Sequence, residues 1–302
     1  MTCSSALAPA QARPLALALL AVVLLAACGG GDDDGDDGPM APEDAAGFDP
    51  NLPPVTSGSW YRPGTSTTWQ WQLQETLNTS YDVDLYEVDL FDTPTATIQA
   101  LKDAGRAVLC YFSAGSWEDF RSDASAFPSV VLGNVYSGFP DERWLDIRST
   151  TVLTLMNTRL DLAREKGCDG VEADNVDGFA NETGFPLTAA DQLGFNRRLF
   201  NSAHERGLAV ALKNDGDQAA ALIDYVDLSV NERCHELGEC GQLEAFIAAG
   251  KPVLNAEYLS DYVSDSGARA TMCSQSRGRG FHTLVLPEDL DDSFRFSCDN
   301  GP

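Results

Sequence analysis

The chain alternates between two hydrophobic periods from about residue 60 onward. Stretches with period two, or short apolar runs rich in β-branched and aromatic residues, predict strands over 69–73, 85–91, 107–112, 171–174, 208–213, 225–230, 252–258 and 283–286. Helical spacing predicts helices over 95–104, 149–166, 188–206, 218–223 and 243–249. The clearest is 149–166, where Val152, Leu155, Met156, Leu160 and Ala163 share one face and Gly167 ends the helix. Thr188 and Asp191 have capping-box spacing. Eight strands separated mostly by helices predict an α/β chain folded as a (β/α)8 TIM barrel in a single catalytic domain. A doubly wound open sheet is the rival, but no glycine-rich phosphate loop follows the first strand.

The pattern has two interruptions. Residues 113–148 form a long excursion carrying Trp117, Phe120, Phe127 and Trp144, and long loops on this side of a barrel are usually functional. At the other interruption, Arg13 precedes an apolar run over 15–25, too short to span a membrane, which closes with Leu25-Ala-Ala-Cys28. This resembles a bacterial lipobox with Cys28 as the lipidated residue. A plain secretory signal is the alternative, and both place the chain outside the cytoplasm. The expected organisation is a lipoprotein signal peptide over 1–27, a disordered Gly/Asp/Pro-rich tether over 28–58, and the barrel over 59–302.

The formal net charge is −26. Residues 1–44 hold Arg13 against seven carboxylates, so about 20 of the excess negative charges belong to the remainder. Such a surface repels nucleic acid and attracts a cationic ligand. The membrane contact expected is the N-terminal lipid alone, and a monomer is expected. Six cysteines follow Cys28. In an oxidising compartment Cys234 and Cys240 are expected to pair across a short loop, and Cys273 and Cys298 to tie down the C-terminus. Cys110 and Cys168 read as buried thiols. With three histidines and no zinc-site spacing, no metal and no cofactor are expected.

In a barrel the C-terminal ends of all strands meet at one rim. The rim residues expected are Glu87, Asp89 and Asp92; Tyr111 and Ser113; Glu172, Asp174 and Asn175; Lys213, Asn214 and Asp215; Asn231 and Glu232; and Asn255, Glu257 and Tyr258. Alternation in 171–174 puts Glu172 and Asp174 on one face, opposite Val171 and Ala173. Acidic residues at strand ends can simply tie down turns. Here many carboxylates converge with aromatic residues, which suits carbohydrate: sugars need hydrogen bonds and aromatic faces, and glycoside cleavage needs a carboxylate pair. Lys213 could form a Schiff base, but its polar neighbours favour a salt bridge or a sugar contact.

The segments Tyr86-Glu-Val-Asp-Leu-Phe-Asp92, Cys110-Tyr-Phe-Ser-Ala-Gly-Ser-Trp-Glu118, Trp144-Leu-Asp-Ile-Arg148, Cys168-Asp-Gly-Val-Glu-Ala-Asp-Asn175 and Val230-Asn-Glu232 resemble glycoside hydrolase family 114, the endo-α-1,4-polygalactosaminidases. The likeness covers residues 60–258. It implies a barrel and a retaining mechanism, with Asp174 as nucleophile and Glu232 as acid/base. Asp89, Tyr111, Glu172, Asn175, Lys213, Glu257 and Tyr258 are the expected substrate contacts, and the implied partner is a polysaccharide with free amines.

Strand parity complicates the acid/base. Reading Val226, Leu228 and Val230 as outward-facing turns Glu232 outward as well, whereas Glu257 then has inward parity and rivals it. The expected reading is an extracytoplasmic, membrane-anchored glycosidase cutting within α-1,4-linked galactosamine-containing polysaccharide. The alternative is a non-catalytic glycan-binding barrel at the cell surface.

Overall fold

The computed structural model describes residues 46–300. The signal, Cys28 and the first part of the expected tether lie outside the described residues. Eight parallel strands run in the order β1 (Trp69–Gln72), β2 (Leu85–Asp89), β3 (Ala107–Ser113), β7 (Gly170–Asp174), β8 (Ala209–Lys213), β9 (Leu228–Glu232), β10 (Val253–Glu257) and β11 (His282–Val285). A short β12 (Phe296–Ser297) adds antiparallel to β11. Strands β4 (Ser116–Glu118), β5 (Leu132–Tyr136) and β6 (Phe139–Leu145) form a separate antiparallel sheet inside the long excursion. The seam between β11 and β1 is closed without a ladder. Trp69 Nε1 donates to the His282 carbonyl at 3.0 Å, and the amides of Leu73 and Gln74 donate to Leu290 O. The fold is a (β/α)8 barrel.

Two apolar clusters reveal which side of each strand faces the lumen. Trp69, Trp71, Leu85, Leu109, Ala211, Leu228, Val230, Leu254, Ala256 and Leu284 form the inner one. The outer one joins Val88, Val108, Phe112, Val171, Ala173, Val210, Leu212 and Val253 to helix residues such as Met156, Leu160, Phe195 and Leu199. The barrel is therefore filled from below by apolar side chains, with polar residues left for the mouth. The helices that cover it include α1 (Thr95–Asp103), α2 (Thr150–Lys166) and α3 (Ala189–Glu205). Ser149 caps α2 and Gly167 ends it in the left-handed region at φ 87°. Thr188 and Asp191 close the expected capping box on α3. The short helices α4 (Ala219–Leu222), α5 (Cys234–Leu237), α6 (Glu244–Ala248) and α7 (Ser260–Ser264) follow. Helix α8 (Ser266–Arg279) has no counterpart in the hydrophobic pattern, because it buries little beyond Met272, Cys273 and Ser276.

Two features depart from the sequence reading. Cys110 and Cys168 are joined rather than free: strands β3 and β7 are neighbours, which brings together cysteines 58 residues apart. The pairs Cys234–Cys240 and Cys273–Cys298 are bonded as expected. Residues 46–58, assigned by composition to the tether, instead pack along α3. Val55 N donates to Asn201 Oδ1, Asn201 Nδ2 donates to Pro53 O, and Phe48 lies against Phe195. At Gly194 a Cβ would meet Phe48 O at 2.2 Å, so glycine is what lets this strap lie flush on the helix.

Candidate active site

Strands β7, β8 and β9 each end in an ionisable side chain that points into the mouth: Asp174, Lys213 and Glu232. The next residue in each case, Asn175, Asn214 and Arg233, turns into the left-handed region at φ 60°, 49° and 61°. Non-glycine residues rarely adopt this conformation, and such strain concentrates at functional sites. It reverses the chain directly behind the functional side chain. The long excursion returns close to the same place. Gly115 N donates to Asp174 O, and a Cβ at Gly115 would meet Asn175 O at 1.7 Å.

Lys213 is the hub. Its Nζ lies 3.1 Å from Asp174 Oδ1, 3.1 Å from Glu232 Oε2 and 3.4 Å from Glu172 Oε1, above the Trp71 ring. Burial opposes its charge, yet the surrounding carboxylates, Asp174 first, hold its pKa well above the ordinary lysine value. One such contact at 4 Å is worth about 4 kcal/mol at an effective dielectric of 20. A Schiff base needs a neutral amine, which a lysine held in its ammonium form does not offer. Because both oxygens touch one ammonium, Asp174 Oδ1 and Glu232 Oε2 are at most about 6.2 Å apart.

Asp174 also accepts from Tyr111 OH at 3.1 Å and from the Asn175 amide at 2.7 Å. Glu232 accepts from Tyr258 OH at 2.6 Å and Asn214 Nδ2 at 3.2 Å. Burial pushes the Glu232 carboxyl up, but Lys213 and these donors outweigh it and hold the group below its ordinary value. The raised value that acid catalysis leads one to expect is absent from the substrate-free cluster. Glu172 shows the reverse. It is fully buried beneath Lys213, and burial pushes it up to about 8 against the pull of the ammonium.

The parity expected for β9 and β10 is inverted. Leu228 and Val230 pack in the lumen with Trp69 and Trp71, so Glu232 shares their inward face. Val253, by contrast, belongs to the outer cluster, which puts Asn255 and Glu257 outside the lumen. Glu257 accepts from the amides of His235 and Glu236 at 2.7 and 3.3 Å, and so ties down α5 behind Glu232. Apolar character marks an outward residue only in a barrel with a polar interior, and the floor of this one is apolar.

Of the expected contacts, Tyr111, Lys213 and Tyr258 join the cluster. Glu172 lies beneath it rather than at its surface. Asn175 turns away, donating to Ser113 Oγ at 2.9 Å and Ser116 Oγ at 3.3 Å. Asp89 is taken by Arg121, at 2.7 Å, and by the amides of Phe91 and Asp92. Glu87 is fully buried, with neither oxygen hydrogen-bonded among the described residues.

The sequence reading missed several neighbours. Glu142 on β6 accepts from Ser116 Oγ at 2.7 Å, and burial pushes it up to about 7, with Glu118 and Asp174 adding to the rise. Tyr136, stacked at a tilt on Trp144, brings β5 over Asp174 and Asp177. A cleft of about 310 Å³ opens beside Glu232. Its lining includes Asp177, Asp215, Asp217 and Glu239 with Phe179 and Leu237. Burial pushes Asp215 up to about 8, with Asp177 and Asp217 adding to it. Only the position of the long excursion in the chain hinted at Glu142 and Tyr136. Cys234, His235 and Cys240 have side-chain atoms within 4.8 Å of one another, but the two sulfurs are bonded together and offer no thiolate to a metal.

The sequence pattern of glycoside-hydrolase family GH114 matches residues 50–302. The chain is similar to the crystal structure of Aspergillus fumigatus Ega3 in complex with galactosamine, at 38% identity and a TM-score of 0.76, over 80% of this chain and 99% of that one. It also shares its fold with the glycoside hydrolase domain of PelA from Pseudomonas aeruginosa, at 16% identity and a TM-score of 0.60, over 75% and 96% of the two chains. No curated protein sequence matches it. A family pattern that runs almost from the strap to the C-terminus, on a barrel whose mouth gathers Asp174, Lys213 and Glu232, makes this chain a glycosidase belonging to family GH114.

Proposed function

We propose that the protein is an endo-acting, retaining glycosidase that cuts α-1,4-linked, galactosamine-containing polysaccharide outside the cytoplasm, with Asp174 as nucleophile and Glu232 as acid/base. The observation that carries this reading is the ammonium shared by Asp174 and Glu232. Retaining enzymes hold their two carboxyl groups about 5–5.5 Å apart, and inverting ones roughly 6.5–9.5 Å. The two nearest oxygens lie within about 6.2 Å of one another, which brings the pair within reach of the closer, retaining separation. Tyr258, Asn214 and the bonded loop Cys234–Cys240 hold Glu232 in place.

The cleft supports the substrate class. Asn231 Oδ1 is a buried acceptor without a hydrogen-bond partner among the described residues, and it lines the cleft beside the carboxyl groups of Asp217 and Glu239. Arg233, a cation in the lining, is paired with Glu236 at 2.9 Å. A lining short of free donors and rich in acceptors suits a ligand that brings its own N–H groups, as an amino sugar with a free ammonium does. Galactosamine is the molecule bound to the similar Ega3 structure.

The test is incubation of the purified protein with galactosamine polymers of graded acetylation, reading the released oligomers by mass. De-N-acetylated polymer is expected to be cut, and its KM to rise with ionic strength more than kcat falls, since exposed attraction is screened within about 10 Å at 0.1 M salt. Equal cleavage of fully acetylated polymer with no salt effect contradicts the cationic substrate. Polymer bound but never cut favours the glycan-binding alternative.

The proposal keeps residues 1–27 as a lipoprotein signal and Cys28 as the anchor, and takes the ordered domain to begin with the strap rather than at 59. Cys28→Ala is expected to move the exported protein from the membrane to the soluble fraction with its activity intact. Retention in the membrane fraction contradicts the anchor.

A further inference from the structure

Glu172 is a carboxyl that the two-carboxylate scheme leaves without a task. It sits on β7 one inward position below Asp174 and is 0% exposed; neither of its oxygens is hydrogen-bonded among the described residues, and the shared ammonium lies 3.4 Å from Oε1. The groups that face it come from every side of the lumen. Asp174 stands on its own strand, Lys213 on β8, Glu232 on β9, Tyr111 on β3 and Tyr258 just after β10. Glu87 lies within the same barrel on β2. Three carboxyl groups thus share one ammonium in a buried site, and a buried carboxylate left unneutralised costs several kcal/mol, so the cluster favours holding a proton.

We propose that Glu172 stores the proton that Glu232 delivers to the leaving group, with Lys213 as the carrier between them. Lys213 Nζ lies within reach of both, 3.4 Å from Glu172 Oε1 and 3.1 Å from Glu232 Oε2. The ammonium gives a proton to Glu232 as it takes one from Glu172, so Lys213 begins and ends charged. Glu232 then protonates the glycosidic oxygen. The bond from the anomeric carbon to that oxygen breaks with its electron pair going to the oxygen, and a carboxylate oxygen of Asp174 forms the new bond to the carbon. In the second half, Glu232 takes a proton from the attacking water, the bond to Asp174 breaks, and the proton returns through Lys213 to Glu172. This inference rests on the proposed retaining pair. It explains how Glu232, held ionised by Lys213 in the resting cluster, still acts as an acid.

The pair has one macroscopic alkaline limit, a property of Glu172 and Glu232 together. In the wild type the limb of kcat/KM on polymer is therefore expected near pH 8, where burial places Glu172. Glu172→Gln keeps the shape but removes the stored proton, leaving Glu232 to its own depressed value. The limb should move to lower pH, with activity at pH 7 falling on the order of 10²-fold, the lower end of a general acid's contribution. Glu172→Asp, which retains a carboxyl, should restore the wild-type limb. The burst of leaving group from an activated aryl glycoside, whose departure needs no proton, should have the same rate in all three proteins. If Glu172→Gln lowers kcat with the limb unmoved, Glu172 only positions Lys213 and the proposal fails.

A readout independent of substrate separates this from the choice of glycan. The infrared difference spectrum of wild type minus Glu172→Gln at pH 7 should contain a protonated-carboxyl band, with Glu87 common to both proteins and cancelling. Absence of that band overturns the proton store whatever the enzyme cuts.

Discussion

Asp174→Asn is expected to abolish cleavage of the polymer while leaving oligosaccharide binding nearly unchanged. Asparagine keeps an acceptor for Lys213, 3.1 Å away, and its amide can donate to Tyr111 once that hydroxyl turns. The geometry therefore survives but the attacking oxygen is lost. Removal of one member of a nucleophile and base set lowers kcat by between about 10⁴- and 10⁶-fold. Binding is to be measured by calorimetry with an oligosaccharide long enough to cross the mouth, and turnover by reducing ends. A protein that loses binding in step with turnover has lost the shape of the site, and the nucleophile assignment with it.

Much of this site was legible in the sequence, and the reasons are physical. The strand over 171–174 reads unambiguously because Glu172 and Asp174 alternate with Val171 and Ala173, which pack in the outer core. The tight turn after it is written in Asn175, a residue type that tolerates a φ of 60°. The same rule misread β9 and β10. Alternation fixes which residues share a face, but not which face is the lumen, and Leu228, Val230, Leu254 and Ala256 are apolar because they fill the barrel floor. The Cys110–Cys168 bond and the role of Asp89 were hidden for another reason. Each depends on a partner distant in sequence, strand β7 in the first case and Arg121 of the excursion in the second. Helix α8 has too little apolar surface to announce itself and is held by Asp265 at its start and the Cys273–Cys298 bond.

The second large effect concerns the acid. Glu232→Gln is expected to lower polymer cleavage by about 10²–10⁴-fold, the range for a general acid. The variant should still form a covalent intermediate with an activated glycoside, because the first step then needs no proton. Release of that intermediate should be slow, since the base is also missing, and a burst of leaving group followed by a slow phase is the expected trace. Glu257→Gln gives the contrast. Glu257 is 0% exposed and holds the amides of His235 and Glu236, so its loss is expected to lower the melting temperature and leave turnover by the folded protein close to wild type. An inactive Glu257→Gln protein with a native melting temperature, beside an active Glu232→Gln one, would move the acid/base to β10.

Both effects depend on one geometric statement: Asp174 and Glu232 are close enough to work on the same anomeric carbon from the protein side without a water between them. The stereochemistry of the first-formed product tests it most directly. The reducing-end anomer released from an α-1,4-linked galactosamine oligomer can be read by proton NMR before mutarotation. Two displacements, with Asp174 attacking first and water second, predict the α anomer. An initial β anomer means that water attacked directly, and contradicts the account.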